Sequence, residues 1–191
     1  MREIILASAS PQRKKILELI NLDFKIHKSN FDESRIEIDN NNPNTYCLNL
    51  AAKKAKDVSM IFPESIVIGA DTIVYHENTI LGKPQNKSEA LKHLNSLNNS
   101  SHIVYSAVSI NIESLGIKET IIDQTTVTFN EISLDDINYY IDNFNPYERA
   151  GSYGIQDWSS LFVKKINGCY YNVVGFPLSK FYILFNKIKN K

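Results

Sequence analysis

Ser8, Ser10 and Arg13, in the stretch Ser-Ala-Ser-Pro-Gln-Arg, are the first residues whose types and spacing suit chemistry, and that chemistry is anion binding. Ile4, Ile5, Leu6 and Ala7 precede them as a short apolar run, which reads as a strand buried on both faces. Ile16, Leu17 and Ile20 follow at helical spacing. Ser10 suits an N-cap and Pro11 the first helical position, where a missing N–H costs nothing. The predicted helix therefore starts at Pro11, and its first turn carries Arg13, with Lys14 and Lys15 just behind. A helix N-terminus already bears about half a positive charge. Cations placed there either stay solvated or share an anion with the unpaired N–H groups and the two serine hydroxyls. The stretch lacks the glycines and the terminal Lys-Ser/Thr of a Walker A loop.

Acidic and basic candidates lie further along. Ile66 to Ala70 reads as a second buried strand that ends abruptly in Asp71-Thr72. A carboxylate there is costly unless it is paired, protonated or bound to a cation, and capping is the plainer alternative. Asp32, Glu33 and Arg35 crowd an expected loop. Asn42 and Pro43 then supply a cap and first-turn proline for a helix reaching Val58, with Leu48, Ala51, Ala52 and Ala55 as its apolar face. Of Lys53, Lys54 and Lys56 on that helix, two are expected merely to be solvated. Lys83 sits between Gly82 and Pro84, which fixes its backbone, and Tyr147 to Gln156 combines glycines, small residues and one amide in an expected loop-strand junction.

The elements that must position these residues read as one mixed α/β domain over residues 1–191, with at most two lobes. A hairpin is predicted from Ile73–His76 and Thr79–Leu81 around Glu77-Asn78, then a helix from Ser88 to Leu97. Two long strands follow, His102–Ile112 and Lys118–Phe129, then a helix over Leu134–Phe144 capped by Ser133. Leu161–Lys165 and Tyr170–Val174 are expected to pair across Asn167-Gly168. Pro177 opens a last helix with Phe181, Leu184, Phe185 and Ile188 inward.

Lys+Arg and Asp+Glu balance at 21 each, so no global field recruits nucleic acid or an anionic membrane, and attraction for anions must be local. Cys47 and Cys169 have no pairing pattern, which fits a reducing compartment. His27, His76, His93 and His102 have no zinc-site spacing and are expected on the surface or in strands. No stretch reaches the roughly 20 apolar residues of a membrane span, and no signal-peptide core is visible, so a cytoplasmic location is expected.

Six stretches, Leu-Ala-Ser-Ala-Ser-Pro-Gln-Arg, Leu-Ala-Ala-Lys-Lys-Ala, Gly-Ala-Asp-Thr-Ile-Val, Leu-Gly-Lys-Pro, Ala-Gly-Ser-Tyr-Gly-Ile-Gln and the run from Ile166 to Leu178, together resemble the Maf family of nucleoside triphosphate pyrophosphatases. The resemblance implies an elongated mixed sheet flanked by helices, as in inosine triphosphatases, two lobes with a central cleft, and hydrolysis between the alpha and beta phosphates to a nucleoside monophosphate and pyrophosphate. It matches Ser8, Ser10, Arg13, Lys54 and Lys83 to phosphate-binding positions. Glu33 and Asp71 match an acidic pair that binds a divalent cation, Mg2+ or Mn2+, with Asp71 as proton acceptor. Gln12, Thr72 and Gln156 fall at positions governing specificity. Thr72 and Gln156 fit the branch acting on dTTP, UTP and modified pyrimidine nucleotides, and a glutamine amide can read the O4/N3–H edge of uracil or thymine. Many members carry Arg where this chain has Gln12, a lost cation expected to weaken triphosphate binding or shift base preference. A homodimer is also implied. The alternative is a nucleotide-binding regulator of cell division, linked to septum formation, with little turnover.

Overall fold

The structure is a computed structural model and describes residues 2–191. In chain order its strands and helices are β1 (Ile4–Leu6), α1 (Pro11–Glu18), β2 (Lys25–Ile26), α2 (Pro43–Ser59), β3 (Ile66–His76), β4 (Thr79–Leu81), α3 (Lys87–Leu97), β5 (Ser101–Ile112), β6 (Ile117–Phe129), α4 (Leu134–Phe144), β7 (Val163–Asn167), α5 (Tyr170–Val174) and α6 (Leu178–Ile188). The seven strands form a mixed sheet of order β2-β1-β3-β5-β6-β7, with β4 paired to β3. The chain divides into two compact units. The first holds the chain up to Thr72, with Ser106–Asp123 and Gly175–Lys191; the second holds Ile73–Tyr105 and Gln124–Val174. Among the described residues, no helix is long and apolar enough to cross a membrane.

In the first unit, β1 runs parallel to both β2 and β3, with Ile5 opposite Lys25 on one side and Val67 on the other. All three residues of β1 are buried, as a parallel strand covered on both faces requires. Helix α2 turns Cys47, Leu50, Ala51, Ala55 and Val58 inward, a stripe at helical spacing, while Leu48 and Ala52 are only half-buried. The small residues on that stripe have a reason. A Cβ added to Gly69 of β3 would lie 2.5 Å from both the carbonyl oxygen of Ala51 and the amide nitrogen of Ala55, so helix and strand backbones meet there with no room for a side chain. Asn42 does not cap α2; its side-chain amide instead donates to Asp39, whose carboxylate also accepts the backbone N–H groups of Asn41 and Asn42.

The strand expected to end at Asp71 does not end there. β3 continues to His76, so Asp71 sits within the strand, and the separately expected Ile73–His76 segment is its second half. Within the second unit that half pairs antiparallel with β4, Val74 opposite Leu81, across Glu77 and Asn78, both with positive φ, as a two-residue hairpin turn demands.

The core of the second unit gathers Val74, Leu94, Leu97, Val104, Val127, Phe129, Ile137, Tyr140, Tyr153 and Phe162. Three of the four histidines are buried here: His76, His93 and His102. Two expectations fail in this unit. Tyr147–Gln156 forms short 3-10 turns and no strand. The hairpin across Asn167-Gly168 is also absent, for β7 pairs with β6, Val127 opposite Ile166, and Tyr170–Val174 is helix α5. Thr125 redirects the chain: its hydroxyl accepts from Cys169 N at 3.0 Å and from the Asn172 amide at 3.0 Å, and donates to Cys169 O. Asn172 also donates to Val104 O, which fixes the turn from β7 into a helix.

Candidate active site

Helix α1 begins where the sequence places it. Ser10 is extended, its hydroxyl accepts from Arg13 N, and Pro11 opens the first turn. No acidic residue occupies that turn. The cations behind it diverge. Lys14 and Lys15 are exposed, Lys14 near Glu18, whereas Arg13 turns inward. Its Nε donates to Gly175 O at 3.1 Å, Nη1 to Ser8 Oγ at 3.1 Å and Nη2 to Thr72 Oγ1 at 3.2 Å. Burial pulls the Arg13 pKa below its ordinary value, and the charges of Asp71 and Glu33 only partly oppose that. Its hydrogen-bond acceptors are all neutral, so the guanidinium is held in place without an ion-pair partner on its own nitrogens. Ser8 Oγ accepts from Arg13 and also from Ser10 N at 3.2 Å, which leaves its proton as what it can offer a ligand.

Asp71, Lys54 and Glu33 form the second part of the site in the same unit. Lys54 Nζ lies 2.5 Å from Asp71 Oδ1 and 2.9 Å from Glu33 Oε1. Glu33 is placed by a 3-10 turn, Glu33–Arg35, whose cap Asp32 accepts from Ser34 N. Asp71 is buried, and burial raises its carboxyl pKa even though Lys54 and Arg13 act to lower it. A carboxylate whose pKa is lifted toward neutrality accepts a proton more readily than an exposed one. Behind it, the Cys47 thiol donates to Asp71 O at 3.6 Å, and burial pushes that thiol well above its ordinary pKa, so it stays protonated. Of the three lysines on α2, Lys54 is in the site, Lys53 is exposed, and Lys56 pairs with Glu113.

Gln12 is half-exposed in the first turn of α1. Lys83 and Gln156 belong to the second unit. Lys83 is exposed and pairs with Glu148 at 3.0 Å. Gln156 is exposed on a turn closed by Asp157 N donating to Gly154 O at 3.0 Å. Ser159 Oγ braces that turn by accepting from Gly154 N and donating to Gly154 O, and Arg149 pairs with Asp157 beside it. A Cβ at Gly154 would meet the Arg149 guanidinium, which would have to shift to admit it.

The sequence reading passed over Gly69, Ser106 and Gly175. Gly69 carries the signal of a glycine inside an otherwise apolar strand, which marks close backbone approach. Gly175, at φ +117, stands before Phe176-Pro177, where a left-handed backbone followed by proline is itself punctuation. Ser106 gives no such signal. Among the described residues, no group of three or more His, Cys, Asp or Glu side chains could hold a metal ion.

The fold and the site together define an α/β protein whose mixed sheet carries a cationic helix start beside a buried carboxylate. Residues 3–188 match the Maf-like protein family, and the chain belongs to that family. It is 44% identical over 184 residues to a dTTP/UTP pyrophosphatase of Clostridium botulinum (strain 657 / Type Ba4), covering 94% of each chain. It is 43% identical over 180 residues to a dTTP/UTP pyrophosphatase of Bacillus cereus (strain AH187), covering 94% of this chain and 92% of the relative. A solved structure of a HAM1 protein from Coxiella burnetii aligns over 98% of this chain and 100% of its own at a TM-score of 0.47 and 15% identity.

Proposed function

We propose that the protein is a nucleoside triphosphate pyrophosphatase acting on dTTP, UTP and modified pyrimidine nucleotides, releasing pyrophosphate and the nucleoside monophosphate. The observation that carries this reading is the pairing, in one unit, of a caged cation at a helix N-terminus with a buried carboxylate of raised pKa. The first suits a polyphosphate and the second suits water activation. Arg13, the Ser8 hydroxyl, Ser10 and the backbone N–H of Gln12 at the start of α1 bind phosphate oxygens, and Lys54 and Lys83 add cations. Asp71 orients the attacking water and takes its proton.

Glu33 and Asp71 are also the residues that would hold a divalent ion. Both direct carboxylate oxygens at a single cation, now the Lys54 ammonium, and hard oxygen donors suit Mg2+ or Mn2+. Such an ion would neutralise triphosphate charge and lower the pKa of water bound to it. Gln156 is assigned the pyrimidine edge.

The test is pyrophosphate release from a panel of nucleoside triphosphates with Mg2+, with Mn2+ and with chelator, for the wild type and Asp71→Asn. Release that favours dTTP and UTP, needs metal and vanishes in Asp71→Asn is expected. Tight nucleotide binding with no release from any nucleotide would instead return the chain to the regulator reading.

A further inference from the structure

We infer that Thr72 and Ser106, with the carbonyl of Gly175, are positioning residues that hold Arg13 toward the phosphates of the substrate, and that Thr72 does not read the base. The inference rests on the reading above that Arg13 meets the triphosphate. Thr72 Oγ1 lies 3.2 Å from Arg13 Nη2, 3.2 Å from Gly175 O and 2.9 Å from Ser106 Oγ. A hydroxyl has one proton and two lone pairs. Gly175 O can only accept, so it takes the Thr72 proton. Arg13 can only donate, so it takes one lone pair, and the Ser106 hydroxyl fills the other. The Thr72 hydroxyl then has no capacity left for the edge of a base.

Each remaining part serves the same end. Gly175 O receives both Arg13 Nε and Thr72 Oγ1, and its φ of +117 is a backbone setting that side chains disfavour. A Cβ there would meet Thr72 Oγ1 only at 3.4 Å, so conformation and not space demands the glycine. Ser106 is fully buried behind Thr72. Arg13 has five N–H groups, and the three neutral acceptors engage one on each nitrogen. One N–H on each terminal nitrogen remains, on a guanidinium whose position is set and whose charge is undiminished. Those two N–H groups are the guanidinium's remaining donors for phosphate oxygens.

The experiment compares binding of inorganic tripolyphosphate, which has no base, with kcat/KM for UTP and CTP in the wild type, Thr72→Val, Thr72→Ser, Ser106→Ala and Arg13→Gln. Loss of one hydrogen bond to a charged group should weaken tripolyphosphate about tenfold in Thr72→Val and lower both kcat/KM values by a similar factor, leaving their ratio unchanged. Thr72→Ser should restore both readouts, and Ser106→Ala should shift them in the direction of Thr72→Val by less. Unchanged tripolyphosphate affinity in Thr72→Val, or a UTP-to-CTP ratio that moves with Thr72, overturns the positioning role while Arg13→Gln still loses tripolyphosphate. If Arg13→Gln binds tripolyphosphate as the wild type does, the phosphate reading of Arg13 is what has failed.

Discussion

Lys54 Nζ lies 2.5 Å from Asp71 Oδ1 and 2.9 Å from Glu33 Oε1, so a single ammonium joins the two carboxylates of the site. Burial lifts the Asp71 pKa, and Lys54 is the foremost influence pulling it down. As the proton acceptor, Asp71 must be ionised, so the acid limb of kcat/KM should lie above the ordinary carboxylate value of about 4. In Lys54→Met the opposing influence is gone, and the limb should move further up, alongside a loss of activity. A pH profile of each variant on UTP checks this, and a limb that stays put or moves down removes Asp71 as the base.

Gly69 precedes Asp71 by two residues and sets how near α2 comes to β3. An added Cβ would lie 2.5 Å from Ala51 O and Ala55 N, both backbone atoms that cannot step aside alone. In Gly69→Ala the helix must shift, at about 1–3 kcal/mol of stability, and Lys54 shifts with it relative to Asp71. The expected result is a lower Tm together with a loss of kcat larger than the stability loss alone explains at assay temperature. A variant with wild-type Tm and kcat would show that the approach at Gly69 is not what holds the pair.

Local signals carried much of the fold. Ser10-Pro11, Ser133 with Asp135 and Asp136, and Glu77-Asn78 each announce a cap or turn that depends only on neighbours in sequence, and each is found in place. Two of the failures have a common cause in contacts distant along the chain, whereas the Asn42 cap is lost to Asp39 three residues away. Asn167-Gly168 has hairpin chemistry, but Thr125 and Val104, more than 40 residues away, claim the residues after it. Asp71 interrupts an apolar run and so looks like a strand end, yet Lys54 on α2 makes the charge tolerable inside the strand. At the site, residue types that bind phosphate were legible from Ser8, Ser10 and Arg13. The cage around Arg13 was not, because Thr72, Ser106 and Gly175 meet it only through folding.

Gln156 stands exposed on a turn braced by Ser159 and by the Arg149–Asp157 pair. That bracing gives its amide a defined place from which to donate and accept, as the O4/N3–H edge of a pyrimidine requires. Gln156→Ala should lower kcat/KM for UTP by about ten- to a hundredfold while affecting CTP far less. An unchanged UTP-to-CTP ratio would take the base reading away from this residue.

His102 offers a test of the second unit that is independent of catalysis. It is buried against Phe129 and Tyr153, its Nε2 lies 2.7 Å from Tyr153 Oη, and its Nδ1 has no hydrogen-bond partner. Burial, with the nearby His76, pushes its pKa down to about 3. The unfolded chain binds a proton near pH 6.5, so below that value the unfolded state takes up protons that the folded state refuses. Stability contributed by neutral His102 is therefore complete above about pH 6.5, and it falls as the pH drops toward 3, by about 1.4 kcal/mol per pH unit. Chemical denaturation between pH 7 and pH 4 should show that slope. Replacing both partners, as His102→Leu with Tyr153→Phe, removes the titrating group without stranding a buried hydroxyl, and it should flatten the slope by about the amount one histidine contributes. An unaltered slope in the double variant would mean that His102 is protonated in the folded protein as easily as in the unfolded one.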